Sequence, residues 1–90
     1  MKKLIRTTQF RRNYNQRIRG KLPLEINFEE TMELFSKDPS NIVLRDHALQ
    51  GSMIGLRSLS INSSYRIVYR PTSKGIVLLD IGMHAEVYKN

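Results

Sequence analysis

A single α+β domain, with two N-terminal helices packed on a curved antiparallel sheet in the order β-α-α-β-β-β, is the fold class this sequence predicts. Three observations lead there. Ninety residues supply one compact core and not two, so the whole chain, 1–90, is read as one domain. Apolar residues recur at helical spacing before Pro39 and alternate with polar ones after it, which puts helices first and strands second. Helices and strands segregated along the chain select α+β over an alternating βαβ arrangement.

The elements follow in order. Lys3 to Thr8 is short and contains β-branched residues, the grammar of a strand. Phe10, Tyr14 and Ile18 then fall on one helical stripe, which leaves Arg11, Arg12, Arg17 and Arg19 for the exposed surface. Gly20 stops that helix, and Pro23 suits the first turn of another, where Leu24, Phe28, Thr31 or Met32, and Phe35 continue at helical spacing up to Asp38-Pro39. Glu25, Glu29, Glu30 and Glu33 take its outer side. Ile42 to Leu49 reads as a short extended segment with the polar centre Arg45-Asp46-His47. From Leu56 to Ile61 the alternation sets Arg57, Leu59 and Ile61 on one face and Ser58 and Ser60 on the other. Asn62-Ser63-Ser64 is turn chemistry, Tyr65 to Arg70 resumes as a strand, and Pro71 to Gly75 turns again. Ile76 to Ile81 is read as an apolar run buried on both faces, and Gly82 to Tyr88 as a polar tail at the rim.

Composition narrows the function. With 40% apolar and 26% charged residues, neither a disordered tail nor a membrane span fits the whole chain. No segment reaches the about 18 consecutive apolar residues of a spanning helix, and Met1-Lys2-Lys3-Leu4-Ile5-Arg6 lacks a secretory signal's apolar stretch, so the expected location is the cytoplasm. Without cysteine there is no disulfide, thiolate metal site or thiol nucleophile. The net charge of +7 is segregated: residues 1–21 hold eight basic groups and no acid, whereas residues 22–40 hold five acids against Lys37. Such a face attracts a polyanion or an acidic protein.

No phosphate-binding glycine loop, metal-ligand cluster or serine triad is present, so neither a metal nor another cofactor is expected. What remains is His47, His84, Arg57, Arg66, Arg70 and Tyr88, all in the C-terminal half near strand ends or turns. Two imidazoles and several guanidinium groups suit metal-free RNA cleavage. One group takes the 2′-hydroxyl proton, another protonates the leaving 5′-oxygen, and cations stabilise the phosphorane. Each residue also has a plainer reading. His47 beside Asp46 is equally a turn histidine held by a carboxylate, His84 a rim residue, the arginines charged guards of strand edges, and Tyr88 a ring capping the core.

The segments Asp46-His47-Ala48-Leu49-Gln50-Gly51, Gly55 to Ile61, Tyr65-Arg66-Ile67-Val68-Tyr69 and Ile81 to Tyr88 together resemble the RelE/StbE superfamily of bacterial toxins, in its YafQ branch. The resemblance implies a RelE-like fold and the toxin of a type II toxin–antitoxin pair. It further implies a ribosome-dependent mRNA endonuclease silenced by an acidic antitoxin, with DNA contacted only through that antitoxin. It assigns His47 and His84 to the catalytic histidines of YafQ-type enzymes, and Arg66 and Tyr88 to the arginine and tyrosine of RelE-type enzymes. Arg45, Arg57, Arg70 and Lys74 are expected to hold RNA. Ser60 and Ser64 stand where YafQ-type enzymes carry a further histidine and an aspartate, and the RelE-type lysines are absent. A serine is no base near neutral pH, so the resemblance implies slower cleavage or a rearranged site, with Arg57 supplying part of the missing charge. Two other readings stay open: a non-enzymatic ParE-like inhibitor of DNA gyrase, and a degenerate toxin that only binds its antitoxin.

Overall fold

The structure, a computed structural model, describes residues 3–88. Met1 and Lys2 of the N-terminal basic run, and Lys89 and Asn90 of the expected 1–90 domain, therefore lie outside the described residues. Strand β1 (Lys3–Arg6) leads into Thr7, whose hydroxyl accepts the Phe10 amide at 3.1 Å and donates to the Leu78 carbonyl at 2.8 Å. One side chain thus caps helix α1 (Thr8–Arg17) and ties its start to the sheet. Phe10 and Ile18 of the apolar stripe are fully buried. Gly20, at φ +86°, supplies the left-handed turn that helices use to end. Helix α2 (Leu22–Lys37) carries Pro23 in its first turn, where the missing amide costs nothing, and buries Phe28, Thr31, Met32 and Phe35. Phe28 meets Phe10 and Tyr14 with ring centroids 6.0 and 5.0 Å apart, the tilted and edge-on arrangements that ring quadrupoles favour.

Beyond Pro39 come the two-residue β2 (His47–Ala48), then β3 (Arg57–Ser60), β4 (Tyr65–Pro71), β5 (Gly75–Met83) and helix α3 (His84–Val87). The sheet order is β1-β5-β4-β3-β2. The last three long strands form the expected antiparallel meander, and β1, returned to the sheet by the two helices, lies parallel to β5 at one edge. That edge demands glycine at position 75, where a Cβ would overlap the Lys3 carbonyl. Phe10, Phe28, Leu59, Ile67, Leu78 and Ile81 are all completely buried where helices and sheet meet. The predicted β-α-α-β-β-β order and the sheet packed on two helices are the architecture observed. No helix among the described residues is long and apolar enough to cross a membrane.

Four local expectations are corrected. Ile42–Leu44 is a 3-10 turn and not part of an extended segment, because the Asn41 side chain accepts the Val43 amide at 2.9 Å and bends the chain. Arg17 is not a free surface charge: it pairs with Asp80 at 3.1 Å and Glu86 at 3.4 Å. The supposed apolar run therefore holds a buried aspartate, kept by Arg17 and by the Asn13 amide at 2.7 Å. Gly82 to Tyr88 is a rim segment only in part: Met83, His84 and Ala85 are exposed, while β5 continues through Met83 and α3 buries Val87.

Candidate functional site

The meander's register decides which polar side chains meet. Ser60 pairs with Arg66 and Arg66 with Gly82, while Leu59 pairs with Ile67. Because side chains alternate, Leu59 and Ile67 face the helices, and Ser58, Ser60 and Arg66 face the other side. Helix α3 packs on β4 and β5 there, which explains why two serines on that face are buried.

Arg66 is the hub. Its Nε donates to Ser58 Oγ at 2.7 Å, and Ser58 Oγ lies 2.6 Å from the Tyr88 hydroxyl. Its Nη2 donates to the Arg45 carbonyl at 3.1 Å. His47 Nδ1 lies 2.9 Å from that same carbonyl and 3.3 Å from Nη2. In one tautomer Nδ1 donates to that carbonyl and Nε2 carries the lone pair; in the other Nδ1 accepts from Arg66 Nη2. Arg45 presents its carbonyl from a left-handed backbone, φ +50°, which is uncommon outside glycine and is the kind of local strain found at functional sites. His84 stands edge-on to the Tyr88 ring at 4.2 Å between centroids. His47, His84 and Tyr88 line one shallow cleft of about 500 Å³ together with the Leu49–Met53 segment. The cleft offers two imidazoles and a phenol to one ligand, with the Arg66 guanidinium behind His47 and Ser58, and no cluster of three or more metal-binding side chains occurs among the described residues.

A sequence profile described as the bacterial toxin of type II toxin–antitoxin systems, YafQ, matches residues 2–89. The chain belongs to the YafQ family. Among solved structures, YafQ from E. coli strain BL21(DE3) matches with a TM-score of 0.76 at 20% identity, covering 99% of this chain and 100% of that one. A copper-bound mutant toxin from Helicobacter pylori gives 0.76 at 25% identity, over 98% of this chain and 100% of that one. The toxin in the E. coli DinJ–YafQ toxin–antitoxin complex gives 0.73 at 22% identity, over 98% of both chains. Among curated proteins, none matches the chain.

In this member of the YafQ family the other expected site residues do not all gather at the cleft. Arg45 contributes its carbonyl there, and its side chain is exposed. Arg70 lies further along β4, and Lys74 sits in the exposed turn before β5, at the end of the hairpin away from Arg66. Ser60 is buried and donates to the Asn62 carbonyl at 2.7 Å; Ser64 is exposed and its amide donates to Asn62 Oδ1 at 2.8 Å. Both serve the β3–β4 turn. Arg57 points to the helix side of the sheet, where its Nε donates to Asp46 Oδ1 at 3.0 Å. Its charge is paired there and not at the cleft. The residue that sequence reasoning missed is Ser58, which joins Arg66 to Tyr88. Its only sequence signal was the alternation that placed it opposite Leu59.

Asp46 also accepts the Tyr69 hydroxyl at 2.6 Å. Burial, and then the carboxylate beside it, push the Tyr69 phenol well above its ordinary value. The unfolded chain would ionise this phenol near about pH 10, whereas the folded chain keeps it protonated. The resulting stabilisation is complete below pH ~10 and is lost as pH rises through the folded value. Tyr69→Phe should accordingly flatten the alkaline limb of a urea-denaturation series. Near neutrality it should cost about 1.5–3 kcal/mol, the worth of a hydrogen bond to a charged group. An unchanged alkaline limb would assign that limb to other groups.

Proposed function

We propose that this protein is the RNA-cleaving toxin of a toxin–antitoxin pair, a ribosome-dependent mRNA endonuclease that uses acid/base transesterification and needs no metal. The observation that carries this reading is the hydrogen-bonded set Arg66–Ser58–Tyr88 meeting His47 and His84 at one cleft. One imidazole takes the 2′-hydroxyl proton as the 2′-oxygen bonds to phosphorus. The other gives a proton to the departing 5′-oxygen as the P–O5′ bond breaks. The products are a 2′,3′-cyclic phosphate and a 5′-hydroxyl. Arg66 offers N–H groups where negative charge grows, and the Ser58 hydrogen bond holds the Tyr88 phenol beside it. The cleft is shallow and both histidines are exposed, so a second surface that holds the message, the ribosomal decoding site, fits the geometry better than free RNA. Ser60 and Ser64, engaged in their turn, add no proton-transfer group, which supports slower cleavage than in relatives with a fuller set.

Purified toxin added to programmed ribosomes in EDTA-treated, magnesium-restored buffer, followed by mapping of mRNA ends, tests this. Expected are cuts in ribosome-bound message only, ending in cyclic or 3′-phosphate. Intact message together with inhibited supercoiling by DNA gyrase would replace the reading with the ParE-like one.

The antitoxin side rests on charge and on the DinJ–YafQ relative, a toxin–antitoxin complex. Arg11, Arg12 and Arg19 are exposed on or just beyond α1, a basic face suited to an acidic amphipathic segment. Converting Arg11 and Arg12 to glutamine should slow association with the cognate antitoxin by on the order of tenfold and flatten its salt dependence, read by surface binding kinetics at several salt concentrations. Indifference to both would place the antitoxin elsewhere.

A further inference from the structure

Helix α3 carries His84 and ends at Tyr88, yet it spans four residues, far below the length at which a helix holds itself together. Its orientation must come from outside. Val87 anchors it by burial, and Glu86 does so by charge: one carboxylate oxygen accepts the Met83 amide at 2.6 Å, which caps the start of the helix, and the other meets Arg17 Nε at 3.4 Å. The same guanidinium donates through Nη1 to Asp80 Oδ1 at 3.1 Å and to the Ile81 carbonyl at 3.0 Å. Asp80 is itself fixed by the Asn13 amide at 2.7 Å and by the Ile81 amide at 2.8 Å. One arginine of α1 therefore binds β5 with one nitrogen and the cap of α3 with another. This explains Gly82, two residues before His84. A Cβ there would come within 2.8 Å of both Arg17 Nη1 and Glu86 Oε1, so any larger residue pushes the bridge apart.

We propose that Arg17 is a positioning residue that, through Glu86 and across Gly82, sets the place of His84 and Tyr88 at the cleft. It touches neither the message nor the reacting atoms. A lysine cannot stand in for it, because a single ammonium lacks the planar fork needed to reach Asp80, Ile81 and Glu86 together. The consequence for cleavage rests on the function proposed above; the consequence for the geometry does not.

The test uses the free full-length toxin and a readout independent of RNA. The edge-on contact between His84 and Tyr88 displaces the His84 ring-proton resonances by ring current. Glu86→Ala, which leaves the buried Asp80 its partners, and Gly82→Ala, which keeps the Asn13 amide on Asp80, should each abolish most of that displacement while the Leu59 and Ile67 methyl resonances stay in place. Arg17→Gln should do the same, and if it fails to fold, the other two variants still decide. In single-turnover cleavage on programmed ribosomes, both should lose about 10²-fold in rate, the effect of a small misplacement of reacting groups, with an unchanged dependence on ribosome concentration. Glu86→Gln, which keeps an oxygen for the Met83 amide, should recover part of the loss. His84 resonances unmoved in all variants would overturn the proposal. If the wild type cleaves nothing but the resonances move as stated, the endonuclease reading fails and the positioning role stands.

Discussion

Replacing Arg66 by lysine is expected to leave a folded protein that cleaves ribosome-bound mRNA about 10²–10³-fold more slowly, the usual loss when a preorganised donor to a developing oxyanion is removed. The size follows from geometry and not from charge, which the substitution retains. Arg66 holds Ser58 with Nε and the Arg45 carbonyl with Nη2, and through Ser58 it holds the Tyr88 hydroxyl. Lysine offers one point charge on a flexible stem and can satisfy one of these partners at a time. Ser58 is completely buried; deprived of the guanidinium, it still has Tyr88, so no buried polar group is orphaned and the fold survives. Single-turnover cleavage and thermal denaturation, measured on the same preparation, check both halves. A variant that unfolds would make Arg66 a structural residue, and a variant that cuts at the wild-type rate would remove it from the site.

The parts of this molecule that were legible from sequence are those in which one local pattern suffices. Phe10, Tyr14 and Ile18 announce a helix because spacing alone puts them on one side of it, and Phe28 and Met32 do the same for α2. His47 and His84 stand out because imidazole is the scarce titratable chemistry of the chain. Illegible were the features that exist only once distant segments meet. Arg17 and Asp80 lie 63 residues apart, and nothing near either announces the other; embedded among isoleucine, valine and leucine, Asp80 passed as part of an apolar strand. Ser58 has no local signature because a strand hydroxyl means nothing until register brings Arg66 and Tyr88 to it. Ile42–Leu44 misled for the opposite reason: its β-branched side chains have strand propensity, while the Asn41 cap bends the backbone and leaves Ile42 88% exposed.

Arg57 is the instructive case, since the alternation already grouped it with Leu59 and Ile61 on the face that proved to meet the helices. Charge suggested RNA, periodicity suggested the core side, and periodicity decided. Once on that face an arginine needs a carboxylate, and Asp46 supplies it. Asp46 thus belongs to the sheet's inner side, while its neighbour His47 serves the cleft. The sequence motif Asp46-His47 is two functions side by side, an ion-pair anchor beneath the sheet and an imidazole above it.

The anchor frees His47 and His84 to be judged by proton transfer alone. Each is expected to lower cleavage by about 10²–10⁴-fold when changed to glutamine, the worth of a positioned acid or base. Glutamine keeps hydrogen-bonding size and removes the titration. In the tautomer that donates from Nδ1 to the Arg45 carbonyl, His47 presents the Nε2 lone pair and takes the 2′-hydroxyl proton, and His84, against the Tyr88 ring, protonates the 5′-oxygen. The two must be in opposite protonation states at the start of the reaction, which makes the wild-type rate bell-shaped in pH. His47→Gln should remove the acid limb, where the base must lose its proton to work, and His84→Gln the alkaline limb, where the acid must keep its own. Both histidines are exposed, so denaturation midpoints and antitoxin affinity should stay near wild type. If the limbs are lost in the reverse order, the roles are exchanged while the chemistry stands. If both variants cut at near wild-type rate with a full bell, these imidazoles do not move the proton, and a toxin that acts by binding becomes the better account of the cleft.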